Sequence, residues 1–179
     1  MAGRDDEWVR RWNGERLAAS VAAALHRWED DPAQAAGGLD RLFRAAPPRA
    51  ILLLERLYRD RHYTLAAQVG ARIDTLAKDH GPHAAAVAAL LTLDRSGYLR
   101  EAGVRLLAGD DAAFALPFLL LRLNDPVEAV RQRAGAALRA RLDVSDTAQV
   151  AALRPLMEAL SRRRRSGPIV STLAGRAAP

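Results

Sequence analysis

Along the chain, apolar positions recur at helical spacing. Leu17, Val21, Ala24, Leu25 and Trp28 form one stripe, Ala50, Leu53, Leu54 and Leu57 a second, and Val127, Val130, Ala134, Ala137 and Leu138 a third. Each stripe keeps the three- and four-residue steps that line one face of an α-helix. No run of five or more residues alternates like a half-buried strand. Breaks fall near Asp30-Asp31-Pro32, Pro47-Pro48, Asp60-Arg61, Gly81-Pro82, Asp94 to Gly97, Gly109 to Asp111, Asn124-Asp125-Pro126, Asp143 to Asp146 and Arg162 to Pro168. Pro, Gly, Asn and Asp at such points supply turns and helix caps. The pieces between are about 11–16 residues, three to four turns. The pattern predicts an all-α chain.

The helical pieces also repeat. An offset of 31 residues places Asp94 under Asp125, Leu99-Arg100 under Val130-Arg131, and Leu107 under Leu138. A further 34 residues back, Asp60 falls under Asp94, Leu65 under Leu99 and Ile73 under Leu107. The first pair of helices, roughly 15–29 and 33–46, keeps an Asp-Pro turn at Asp31-Pro32. After Asp146 the pattern resumes in part, with Pro155 parallel to Pro117. Helix, acid-bearing turn, helix, about five times over, is a repeat architecture, because one hairpin cannot bury both of its apolar faces.

The stretch Ala115-Leu116-Pro117 to Asn124-Asp125-Pro126, followed by Val130-Arg131, Ala134 and Leu138, resembles a HEAT repeat. The Pro of the first helix, the Asp of the turn and the Val-Arg opening of the second helix carry the resemblance. It is best over residues 112–142 and weaker over 84–108. Units over 15–78 keep the spacing without the Val-Arg pair and pass equally for tetratricopeptide-like hairpins. The resemblance implies an α-solenoid of about five antiparallel hairpins spanning 1–179 as one domain. Capping helices would occupy about 5–46, the clearest repeats 82–142, and a last, incomplete repeat 147–179. Ala134, Ala136 and Ala137 are the expected points of close helix approach. Most HEAT proteins are scaffolds for protein binding, and that function is implied here by resemblance.

Composition sharpens this picture. The chain has 38 Ala and 27 Leu against 10 Val and 3 Ile, a helix-forming balance poor in β-branched residues. It has no cysteine, which removes disulfides, thiol catalysis and thiolate metal sites. The first eight residues carry Arg4, Asp5, Asp6 and Glu7 where a secretory signal needs an apolar core. The longest apolar run, Ala112 to Leu121, contains Pro117 and is too short to cross a bilayer. A bacterial-type cytoplasmic protein with no membrane contact is the expectation. The net charge of +6 is uneven: residues 1–94 hold 13 basic and 13 acidic side chains, and 95–179 hold 14 and 8. Of the 27 basic residues only Lys78 is not Arg.

Candidate binding residues follow from that imbalance. Arg100 and Arg131 each stand six positions after a turn acid, Asp94 and Asp125. They are read either as a ladder of Asp–Arg contacts between repeats or, with Arg139 and the run Arg162-Arg163-Arg164-Arg165, as a basic strip for DNA or RNA. Residues 115–179 contain just one aromatic, Phe118, which weakens a single-strand reading. Trp8 and Trp12 either cap the first repeat together with Leu39, Leu42 and Phe43, or dock on a partner. Some HEAT-like proteins are DNA glycosylases, but these need a catalytic acid in a basic, aromatic-lined cleft. Here the tryptophans lie at one end of the sequence and the excess charge at the other. His80-Gly81-Pro82-His83 reads as a loop and helix start, and no His is followed by the Glu of an iron-holding HEAT pair. There is no P-loop, nucleophile elbow or dinucleotide glycine motif.

A non-enzymatic scaffold with a protein partner, no cofactor or metal and no small-molecule substrate is the leading expectation, and a nucleic-acid binder the alternative. The second reading predicts affinity that falls steeply from low to moderate salt and disappears when Arg162 to Arg165 are replaced by Glu. Unchanged oligonucleotide binding after that replacement, measured by fluorescence anisotropy, rules the basic strip out.

Overall fold

The structure is a computed structural model that describes residues 14–60, 75, 79–142, 147–163 and 165. These residues form nine α-helices and no strand: α1 (Gly14–His26), α2 (Pro32–Ala45), α3 (Ala50–Asp60), α4 (Ala84–Leu91), α5 (Gly97–Ala108), α6 (Ala115–Arg122), α7 (Glu128–Leu142), α8 (Thr147–Ala152) and α9 (Arg154–Ser161). Where the described residues span them, as at Asp31-Pro32, Pro47-Pro48, Asp94 to Gly97, Gly109 to Asp111 and Asn124 to Pro126, the breaks in the sequence separate helices. Asp31 caps α2, its Oδ1 accepting from the Gln34 amide at 2.9 Å, with Pro32 in the first turn where no donor is missed. One interruption is not foreshadowed: the chain turns at Leu153, so Pro155 opens α9. Like Pro117 in α6, it sits in a first turn, whose amides have no partner within the helix.

Two hairpins form the centre. α4 packs on α5 and α6 on α7, and the hairpins stack α5 against α7 and α4 against α6. The remaining helices cover the α4–α6 layer: α2 packs on α4, α3 and α9 pack on α6, and α1 joins α2 to α3. The sequences match these positions. Every residue from Ala85 to Leu91 and from Ala115 to Arg122 is buried, as a helix surrounded by others requires. By contrast α5 and α7 turn Arg105, Gln132, Arg133 and Arg139 to solvent. No helix among the described residues is long and apolar enough to cross a membrane.

Four packing expectations change, the first being Val127, which precedes α7 and is exposed instead of lying on its buried stripe. In α3 the buried stripe is Ala50, Ile51, Leu54, Glu55 and Tyr58, while Leu53 and Leu57 are only half-buried. The helix is rotated because Glu55 must reach a buried arginine. Phe43 does not cover an end of the first repeat; its ring lies 4.9 Å from Phe118, edge-on, and 5.9 Å from Phe114, inside the joint between α2 and α6. Ala136 faces solvent, whereas Ala134 and Ala137 are buried. Leu65, Ile73, Trp8 and Trp12, and the second helix expected near 168–177, lie outside the described residues, as does the side chain of Leu17.

Two helices meet through backbone at Gly103 in α5. A Cβ there would stand 2.6 Å from the Ala88 carbonyl oxygen and 2.9 Å from the Thr92 amide nitrogen. Both are backbone atoms of the α4 side of the hairpin and cannot step aside. Gly38, inside α2, has nothing within 4 Å of the equivalent point. Gly103→Ala is therefore expected to destabilise the protein by about 1–3 kcal/mol through overpacking. Gly38→Ala should stabilise it by up to about 1 kcal/mol. Urea unfolding followed by circular dichroism checks both, and equal effects would contradict the close approach.

Candidate partner-binding surface

The two central hairpins turn in the same way. Asp94 Oδ1 accepts from the Ser96 amide at 2.8 Å, and Asp125 Oδ1 from the Val127 amide at 2.9 Å. Six residues on, an arginine folds back over each turn. Arg100 Nη1 donates to the carbonyls of Asp94 and Arg95 at 3.0 and 2.7 Å, and Arg131 Nη1 to those of Asp125 and Pro126 at 2.7 and 2.9 Å. Arg100 also crosses to the next hairpin. Its Nε and Nη2 donate to Asp125 Oδ2 and Oδ1 at 2.7 and 2.9 Å, a two-pronged contact that suits the planar guanidinium.

From Asp125 the contacts run on through the protein. Arg122 Nη1 donates to Asp125 Oδ2 at 3.0 Å, Arg122 Nη2 donates to Glu55 Oε1, and Arg163 Nη1 reaches Glu55 Oε2 at 3.1 Å. Arg100, Asp125, Arg122 and Glu55 are all buried. The chain of charges joins α5, the α6–α7 turn, α6, α3 and the segment after α9. Charges are tolerated at such depth only when paired and hydrogen-bonded. Among the described residues Asp94 Oδ2 is buried without a hydrogen-bond partner.

The candidate arginines therefore divide. Arg100 is 5 % exposed and belongs to no surface strip, because its guanidinium is spent on Asp125 and the turn carbonyls. Arg163 is tied to Glu55. Arg131 is half-buried over the α6–α7 turn, and Arg162 and Arg165 are exposed. The Arg165 amide donates to Asn124 Oδ1 at 3.1 Å, which fastens the arginine run to that same turn. Arg139 is exposed but eight residues beyond Arg131, about 12 Å along α7. Between them Arg133 pairs with Glu101 at 2.7 Å. At the opposite end of α7, Arg141 donates to the Ala112 carbonyl; burial lowers its pKa, and Asp110 and Asp111 oppose that shift. Arg164, Trp8 and Trp12 lie outside the described residues.

Sequence reading missed Tyr98. Tyr98 is 87 % exposed and Val127 37 % exposed, and they are the exposed large hydrophobic side chains among the described residues. Gly97, the residue before Tyr98, packs on Val127: a Cβ there would lie 3.0 Å from Val127 Cγ2. The signal was an aromatic directly after Ser96-Gly97 at a helix start, where the apolar stripe does not require one. Glu55 and Arg122 were missed as well, their signal being single charges inside Leu-rich segments. Elsewhere, a groove of about 360 Å³ opens between Phe43, Ile51, Phe114 and Leu153. Arg44 lies at its side, bonded to Asp40 at 2.8 Å and stacked 5.4 Å over the Phe114 ring. His83 Nδ1 stands 3.7 Å from Asp40 Oδ2. No group of three His, Asp or Glu side chains among the described residues is placed to share a metal.

Burial is the largest single influence on Asp125 and by itself raises its pKa. The Arg100 hydrogen bonds, the Val127 amide and the charges of Arg122 and Arg100 together outweigh it, so the carboxyl titrates below its usual range. A lowered folded pKa gives stability that is complete above the unfolded value, about 3.9, and is lost as pH falls through the folded one. The urea midpoint of the wild type should accordingly drop below about pH 4, and that of Asp125→Asn, lower at neutral pH, should decline less there. Arg122→Ala leaves Glu55 and Asp125 without their shared cation and should cost about 3–5 kcal/mol. Arg163→Ala, at a side chain 34 % exposed, should cost about 1 kcal/mol or less. Compared with known protein families, characterised proteins and solved structures, the chain gives no match.

Proposed function

We propose that this chain is a HEAT-like helical-repeat module that binds a protein partner, acting as a cytoplasmic scaffold without chemistry of its own. The two stacked hairpins are read as successive turns of a short α-solenoid. The shared turn geometry at Asp94 and Asp125 and the Arg100–Asp125 rung support that reading. The observation that carries the functional reading is the exposure of Tyr98 and Val127 at the tips of the two stacked hairpins, where Gly97 meets Val127 and the buried Arg100–Asp125 pair ties one tip to the other. Tyrosine and arginine are enriched in binding hot spots, and Tyr98 stands exposed near the turn that Arg131 braces. Holding it on rigid turns removes much of the ordering cost of association.

Nucleic-acid binding is the second reading, favoured by Arg131 and Arg165 meeting at the same turn. The two separate by experiment. The immobilised wild type should retain a defined protein from a lysate of its natural source, and the double variant Tyr98→Ser, Val127→Ser should lose it while keeping its helical circular dichroism. Retention of the same protein by the variant refutes the role given to these two side chains. Tight oligonucleotide binding by both, with no protein retained, establishes the second reading instead.

A further inference from the structure

We infer that the turn edge takes an acidic protein segment, its carboxylates on Arg131 and Arg165 and an apolar side chain between Tyr98 and Val127. This rests on the protein-binding reading above and adds the chemistry of the partner. The anchors of the two arginines are close: Arg131 holds the Pro126 carbonyl and the Arg165 backbone holds Asn124. Asn124 and Pro126 are two apart in sequence, so their Cα atoms lie within about 7 Å of each other. No carboxylate pairs with Arg131, Arg162 or Arg165 among the described residues, and Arg131 spends only Nη1 on its carbonyls. Asp94, Asp125 and Glu55 beneath this edge are all buried, and the exposed acid beside Val127 is Glu128, bonded to Gln132. The exposed face is a small apolar pair beside a positive charge pair, and its complement is a short segment carrying both features.

The same observations disfavour a polyphosphate. A nucleic acid needs cations spaced along a groove, and here the strip is broken. Arg100 and Arg163 are spent on buried or half-buried partners, Arg133 is paired with Glu101, and Arg139 stands apart. Glu128, exposed next to Val127 and bonded to Gln132, adds a negative charge on the path a backbone would follow. A peptide can place a neutral residue there; a phosphate chain cannot.

Panning a library of short random peptides on the immobilised full chain tests this. The enriched peptides should be net acidic and contain an aliphatic or aromatic residue. Their affinity should fall about tenfold for Arg131→Glu and for Arg165→Glu, and weaken with added salt. Arg165→Glu is the safer variant, since the contact of that residue with Asn124 is through the backbone. Arg139→Glu should leave the affinity unchanged. Enrichment of neutral or basic peptides, equal loss with Arg139→Glu, or tighter binding of a short single-stranded oligonucleotide than of any peptide would overturn the inference. Peptides that need Tyr98 and Val127 but neither arginine would overturn it while sparing the protein-binding reading. Peptides indifferent to Tyr98 and Val127 would remove both.

Discussion

The structure turns on the guanidinium of Arg122, buried at the C-terminal end of α6 and shared between Asp125 and Glu55. A cation in that position is held only if carboxylates are delivered to it from outside its own helix. One comes from the turn that follows, three residues on, and the other from α3, which is 67 residues earlier. Meeting that demand fixes the rotation of α3. It also brings Arg163 onto Glu55 and lets Arg100 close the far end on Asp125. Five side chains thus tie the central hairpins to the helices that cover them, each charge relieving the desolvation of the next.

Apolar packing does the complementary work. The α4–α6 layer has hydrophobic side chains on every face and would be insoluble as the outer wall of a rod. Covering it with α2, α3 and α9 buries Phe43, Phe118, Leu54, Leu156 and Leu160 in one continuous core. The α5–α7 layer keeps a polar outer face and needs no cover. Ionic specificity and hydrophobic burial therefore act on the same joint: the helices that supply Glu55 and the Arg163 contact are those that shield α6.

Much of this was legible in the residues. Proline and acid-rich breaks marked the helix ends because those residues act locally, through caps and turns. The six-residue interval from Asp94 to Arg100 and from Asp125 to Arg131 exposed the shared turn, since it too is local. The direction in which a charge points is decided by neighbours distant in sequence, so nothing in the Leu-rich segments around Glu55 and Arg122 singles these two charges out. The arginine run read as a uniform strip for the same reason, although its members have different roles once Glu55 and Asn124 are placed beside them. Tyr98 escaped notice because a lone aromatic near a helix start looks like core until burial shows it to be exposed.

The contact at Gly103 has a mechanical side. Where two helices meet through side chains, rotamers give the joint some play; where they meet through backbone, as Gly103 meets Ala88 and Thr92, there is nothing to rearrange. The α4–α5 hairpin is then a stiff lever with Tyr98 near its tip, and its compliance lies between hairpins rather than within one. On the proposed binding role, a molecule settling on that tip would meet a backbone that cannot mould itself to it. The adapting, and the entropy lost in doing so, falls to the incoming segment, which favours a flexible ligand over a folded one.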